Sequence, residues 1–138
     1  MYCTAADLEE RYGAAAVLLL ADRDGDGLAD AGVIERAITD AAAEVDGWVA
    51  ARYTLPLASP SPVLARCACA IAWYLLAGNR AGGPYEQDRK AYEDAVALLK
   101  AISKGDVRLG PEPDSQAPAP AGGAAIYAGP KPMWRRRP

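Results

Sequence analysis

The chain contains no histidine and no phenylalanine, and only three of its 138 residues are cysteine. Without histidine there is no Ser-His-Asp or Cys-His nucleophile and no His-based metal site. Cys67 and Cys69 form C-x-C on a helix, where residues two apart point in different directions. A zinc or redox centre would need a second pair, which Cys3 alone cannot supply. An odd count without framework spacing fits reduced thiols in a protein made in the cytoplasm, serving as small core residues. Neither G-x-x-x-x-G-K-[ST] nor G-x-G-x-x-G is present. No pattern places a carboxylate in an apolar setting that would raise its pKa. No enzymatic activity, cofactor or metal is expected.

Long apolar runs are also missing. The longest, Ala14 to Ala21, is far below the ~18 or more residues of a membrane span and runs at once into Asp22-Arg23-Asp24. The first residues lack a basic region leading into an apolar stretch, so no secretory signal is expected. What the chain does have is alanine, leucine and valine with a few Tyr and Trp. That composition suits closely spaced helices better than a β-sandwich.

The punctuation of the chain divides it into helices. Thr4 with Asp7 reads as an N-cap over Ala5–Tyr12, closed by Gly13 in a left-handed conformation. Ala14–Ala21 follows. Asp30 is placed to cap a long segment from Ala31 to about Tyr53, along which Ile34, Ile38, Ala41, Val45, Trp48 and Val49 recur at helical spacing. Leu55-Pro56-Leu57 and Ser59-Pro60-Ser61-Pro62 form a stiff connector, with Ser61 capping and Pro62 opening the next helix. That helix, Pro62 to Gly78, is apolar on a broad face and poor in charge elsewhere, so it is either central or covered by a neighbour. Pro84 opens a last helix through Lys104, which Gly105 closes.

From about Gly110 the composition shifts to Pro, Gly and Ala, which form no packed element and favour polyproline-like extension. Ile126-Tyr127 and Met133-Trp134 stand out in this stretch, and Trp134 is followed by Arg135, Arg136 and Arg137. Such side chains dominate binding energy when an extended arm docks into a groove. The competing reading is an inert tail. The expected architecture is all-α: a small bundle of four to five helices over residues 1–109, and a long extended Pro/Gly-rich C-terminal arm over 110–138.

Charge is unevenly spread. Acids dominate from Met1 to Asp46, are absent from Ser61 to Gly83, and are absent again in the last eight residues, which carry Lys131 and the three arginines. This asymmetry suits different neighbours at each end, or simply a solvated surface with a basic terminus. Asp22-Arg23-Asp24-Gly25-Asp26-Gly27 matches the first half of an EF-hand loop, with Asp30 at its ninth position. The twelfth position, normally a bidentate Glu, is Val33. A tight interhelical turn is the expected role, with weak incidental calcium binding as the alternative. Three adjacent arginines could contact phosphate, but the acidic body would repel a duplex lying along it.

Taken in order, these segments resemble the short Mu-like phage proteins of the head–tail junction. The resemblance is carried by Met1-Tyr2-Cys3-Thr4-Ala5-Ala6-Asp7-Leu8 with Arg11-Tyr12-Gly13, and by the loop Ala21–Gly27 leading to Asp30. It continues in Ala43–Trp48, in Ala51-Arg52-Tyr53-Thr54-Leu55-Pro56-Leu57, and in the late helix Tyr92–Lys104 with Gly105. It covers about residues 1–110, and the Tyr-x-Leu-Pro-Leu helix exit is its most specific stretch. It implies a virion structural protein, a head-completion or connector (adaptor) subunit. Such subunits form a ring, twelve-fold by the resemblance, beneath the portal. The ring extends the channel for double-stranded DNA, contacted without sequence specificity, and docks a tail-proximal connector or tail terminator. The arm would then grip the portal or lace neighbouring subunits, through Ile126, Tyr127, Met133, Trp134 and Arg135 to Arg137 by their chemistry. Candidates for contacts between subunits are Arg52, Tyr53, Arg66, Trp73 and Arg80. The rival reading is a stand-alone helical adaptor or regulator whose basic, Trp-bearing tail binds nucleic acid or a host protein.

Overall fold

The computed structural model describes residues 2–57 and 61–109. The arm expected over 110–138, with its seven anchor residues, lies outside the described residues. Five helices and no strands make up the described part: α1 (Ala5–Tyr12), α2 (Ala14–Ala21), α3 (Val33–Val49), α4 (Pro62–Ala77) and α5 (Glu86–Lys104). The protein is all-α, as the composition predicts. Among the described residues no helix is long and apolar enough to cross a membrane.

Helix α1 starts at a reciprocal cap. The Asp7 amide donates to Thr4 Oγ1 at 3.2 Å, and the Thr4 amide donates to Asp7 Oδ2 at 3.0 Å. It ends at Gly13, whose φ of 97° and ψ of 136° give an extended mirror-side conformation instead of the expected left-handed helical one. Only glycine takes up that geometry readily, and it lets α2 begin immediately with no linker.

Three expected boundaries move. Asp30 does not cap α3; its side chain instead accepts the Arg23 amide at 2.8 Å, and its own amide donates to the Ala21 carbonyl at 2.8 Å. Closing the acidic loop therefore uses Asp30, and α3 begins two residues later, after Gly32 at a left-handed φ of 80°. At the other end α3 stops at Val49. The Arg52 and Tyr53 amides both turn back to the Val49 carbonyl, at 3.0 and 2.9 Å, and wind the exit into a tight turn. Pro84 precedes α5 without joining it, because Tyr85 occupies the cap position.

Helix α4 is the centre of the bundle and touches all four other helices. Ser61 Oγ accepts the Leu64 amide at 3.3 Å, and Pro62 supplies the pre-set first turn. Leu64, Ile71 and Leu76 are fully enclosed, together with Cys67 and Cys69. The choice left open by the sequence is settled by neighbours within the chain: α3 covers one side of α4 and α5 another.

Within this core the largest polar group is Asp88, 8% exposed. Its carboxylate accepts from Trp73 Nε1 at 3.1 Å, Arg80 Nη1 at 3.2 Å and the Tyr85 amide at 3.3 Å. The Trp73 ring stacks on Tyr12 at a centroid distance of 4.2 Å, and the Arg80 guanidinium lies 3.8 Å from the Tyr85 ring centroid. One carboxylate thus ties α5 to α4 and, through Trp73, to α1. Cys3 and Cys69 bring their sulfurs to 2.9 Å on the same side of the core. That contact, and then burial, raises the Cys3 thiol above its ordinary range, and burial does the same for Cys67.

Two measurements check this packing. Replacing Asp88 by Ala strands a buried indole N–H and a guanidinium, and should cost about 2–4 kcal/mol in denaturant unfolding. A loss under about 0.5 kcal/mol would mean that the network carries no stability. All three cysteines are buried. A bulky thiol reagent should therefore leave the native protein unmodified over minutes and react with all three thiols in denaturant; rapid native modification of Cys3 would contradict the packing.

Candidate assembly surfaces

The functional features of this domain are surfaces, and three of them stand out. The first is the outward side of α2. Every residue of Ala14–Ala21 is apolar, yet only Val17, Leu20 and Ala21, at i, i+3 and i+4, are buried. Leu19 is left 72% exposed and Leu18 37%. Leu28 in the following loop is 69% exposed, and Leu75 on α4 is 40% exposed. A helix apolar on all sides is one that expects to be covered on all sides. A shallow depression of about 310 Å³ adjoins this face, lined by Leu19, Leu20, Asp22, Arg23 and Asn79. Asn79 fixes its floor by donating to the Leu20 carbonyl at 3.2 Å and accepting from Arg23 Nη2 at 3.0 Å.

The second surface is the acidic loop. Asp22 uses both carboxylate oxygens on backbone amides: Gly25 at 2.9 Å and Asp26 at 3.1 Å on Oδ1, and Gly27 at 2.8 Å on Oδ2. Partial desolvation opposes the charged form of Asp22, but the Gly27 amide and the further hydrogen bonds outweigh it and lower its pKa. Asp24, drawn down by the Asp26 amide, is pushed up on balance by sharing a hydrogen bond with Asp22. Oxygens of Asp22, Asp24, Asp26 and Asp30 all lie within 4.8 Å of one another. The would-be twelfth ligand, Val33, is instead packed in the core. The carboxylates here serve the turn.

The third is a groove of about 810 Å³ between α3 and the chain that leaves it. Thr39, Ala42, Ala43 and Asp46 contribute one face of α3; Leu55, Pro56 and Leu57 form the opposite wall, and Tyr2 and Ala65 close the ends. The Tyr2 hydroxyl donates to Asp46 Oδ1. Burial first, and then the neighbouring carboxylate, push the Tyr2 phenol above its ordinary range. On the same stretch of α3, between Ala43 and Asp46, Glu44 accepts from the Tyr92 hydroxyl at 3.2 Å, and the Tyr92 ring stacks on Tyr74 at 4.4 Å; burial and Glu44 raise the Tyr92 pKa as well.

The structure distributes the five expected contact residues unevenly and does not bring them together. Trp73 and Tyr53 are buried, at 6% exposure each, Trp73 on Asp88 and Tyr53 with its hydroxyl accepting the Leu109 amide at 3.4 Å. Arg80 makes the ion pair with Asp88. Arg52 is half-buried over the end of α5, so close that a Cβ on Gly105 would lie 2.7 Å from its Cζ. There its charge faces the negative end of the helix dipole. Of the five, only Arg66 is exposed. Sequence reasoning passed over Leu18 and Leu19, although an apolar helix too short to be surrounded was the available signal.

The family model described as Bacteriophage Mu, Gp36 matches residues 2–127. Gene product J of Escherichia phage Mu is 36% identical over 112 residues, covering 80% of this chain and 77% of the relative. The Mu-like prophage FluMu protein gp36 of Haemophilus influenzae is 34% identical over 97 residues, covering 70% of this chain and 67% of the relative. A five-helix domain with an uncovered apolar helix, matched over most of its length, therefore belongs to the bacteriophage Mu Gp36 family of phage structural proteins.

Proposed function

We propose that the chain is the head–tail connector (adaptor) subunit of a virion, assembling as a ring beneath the portal, most simply a dodecamer. In this role it extends the DNA channel and presents a docking surface to a tail-proximal connector or tail terminator protein. It is not an enzyme, in keeping with its family and with a sequence that has no histidine. The observation that carries the reading is the uncovered side of α2. Leu19 and Leu28 are left mostly in water, and exposed apolar patches mark sites of association. Burying each leucine against a neighbour contributes about 1.5–3 kcal/mol.

A ring requires two different complementary surfaces on each subunit. The α2 face supplies one. The side of the bundle with exposed Arg66 and the groove supplies a second of distinct chemistry. The buried Trp73, Tyr53 and Arg80 support these surfaces from within. The acidic loop, exposed over Arg23 to Ala29, suits a wall past which DNA slides without sticking, since like charge suppresses phosphate contacts.

The test is substitution on the α2 face. Leu19→Asp with Leu28→Asp, both at mostly exposed positions, should leave the helical circular dichroism unchanged and the unfolding free energy within about 1 kcal/mol of the parent. It should lower assembly onto portal, read by native mass spectrometry, by at least tenfold. Rings forming normally from this variant would remove the α2 interface from the reading. A parent protein that stays monomeric with portal, yet binds DNA with a steep salt dependence, would overturn the connector role in favour of the stand-alone adaptor.

A further inference from the structure

We propose that the groove between α3 and Leu55–Leu57 is the seat of the chain's own C-terminal segment, Met133–Arg137, which latches there in the unassembled subunit. The groove is large because its α3 side is built from small residues. Thr39, Ala42 and Ala43 stand where bulkier side chains would fill the space facing Leu55 and Leu57. Its volume of about 810 Å³ lies within the range of pockets that enclose most of an aromatic ligand. The lining is mostly aliphatic with one acidic side chain, Asp46. Among the described residues the ion pair formed is Arg80–Asp88, so Asp46 has a tyrosine hydroxyl but no cation. Asp40 is exposed one turn before Ala43 on the same helix. An occupant that fits must pair a large flat apolar side chain with adjacent positive charge.

Beyond Leu109 the chain carries such a segment. Met133-Trp134 is followed directly by Arg135, Arg136 and Arg137, with no acid in the last eight residues. A tryptophan side chain buries on the order of 150–250 Å² and gains further from an apolar slot, and arginine pairs bidentately with a carboxylate. The route is also set. The last described residue, Leu109, is buried, and its amide donates to the Tyr53 hydroxyl. The chain therefore leaves the domain beside Tyr53, two residues before the groove wall begins at Leu55. About two dozen residues separate Leu109 from Trp134, enough to span tens of ångströms and return. A tether of this length holds its end at an effective concentration near the millimolar range, so a modest intrinsic affinity suffices for the same copy to occupy its own groove.

Assembly could then proceed by exchange, the arm leaving its groove when a better surface is offered, which would keep a basic Trp-bearing end from binding nucleic acid prematurely. The latch does not depend on the ring. The two readings fail separately: loss of the α2 interface is read in ring assembly, and loss of the latch in the cross-link to the groove, which an assembled ring uses only after the arm has left it.

Photo-crosslinking in the full chain tests the latch. The full-length protein carries p-benzoylphenylalanine in place of Trp134 and is irradiated at low micromolar concentration as an equal mixture of light and heavy-isotope copies. The expected result is cross-links within single copies to Ala42, Ala43 or Leu55–Leu57, read by peptide mass spectrometry. Ala43→Arg, at an exposed helical position, fills the slot and repels the arginines. It should reduce that cross-link at least fivefold while the circular dichroism spectrum is unchanged. Cross-links joining light to heavy copies, cross-links elsewhere on the domain, or none at all would overturn the latch.

Discussion

The bundle depends on how one buried carboxylate is satisfied. Asp88 lies on the first turn of α5 against the apolar helix α4, where an unpaired charge would be untenable. It is made acceptable by an indole N–H from the middle of α4, a guanidinium from just beyond its end, and the backbone of its own cap. The arrangement fixes the turn between the two helices, because Arg80 must reach back while Pro84 and Tyr85 hold the start of α5. It also fixes α1, since Trp73 held at one edge presents its face to Tyr12. Three helices share one register through a single polar contact, and the aliphatic packing fills in around it.

That contact explains which parts of the molecule were legible in the sequence. Helices α1, α2 and α4 were readable because their stop and start signals are local: a Thr–Asp capping pair, a glycine, a Ser-Pro entry. The start of α3 was misplaced because Asp30 is an equally good cap and loop fastener. Only the fold shows that the Ala21 carbonyl and the Arg23 amide claim it first. Trp73 and Arg80 were expected at a subunit interface on their chemistry alone, and their partner lies on another helix, at a separation that no periodicity rule relates. Tyr53 is similar, with its hydroxyl used by Leu109 more than fifty residues on.

The candidate assembly surfaces were half visible. The apolar character of α2 is plain in Ala14–Ala21, but an eight-residue helix can bury one side or all of it depending on neighbours that sequence does not place. The groove was written in the Leu55-Pro56-Leu57 exit, which was recognised as distinctive without its use being apparent. Its concavity arises from what α3 withholds, two alanines and a threonine on the facing side, and small residues on a helix carry little signal by themselves. The result is a domain whose interior is fully engaged and whose outside offers an apolar helix on one side, a carboxylate-edged slot on another, and an acidic turn on the surface.

The burial of Leu109 beneath Tyr53 has a mechanical consequence. A pull on the C-terminus does not first peel the last turn of α5 away, because the load enters through a residue wedged at the exit of α3. Tension passes to the α3–α5 junction, where Arg52 lies over Gly105 and braces the two helix ends. The load is then shared between two helices and not carried by the last turn of α5 alone. A subunit so anchored could be towed by its tail and keep its shape.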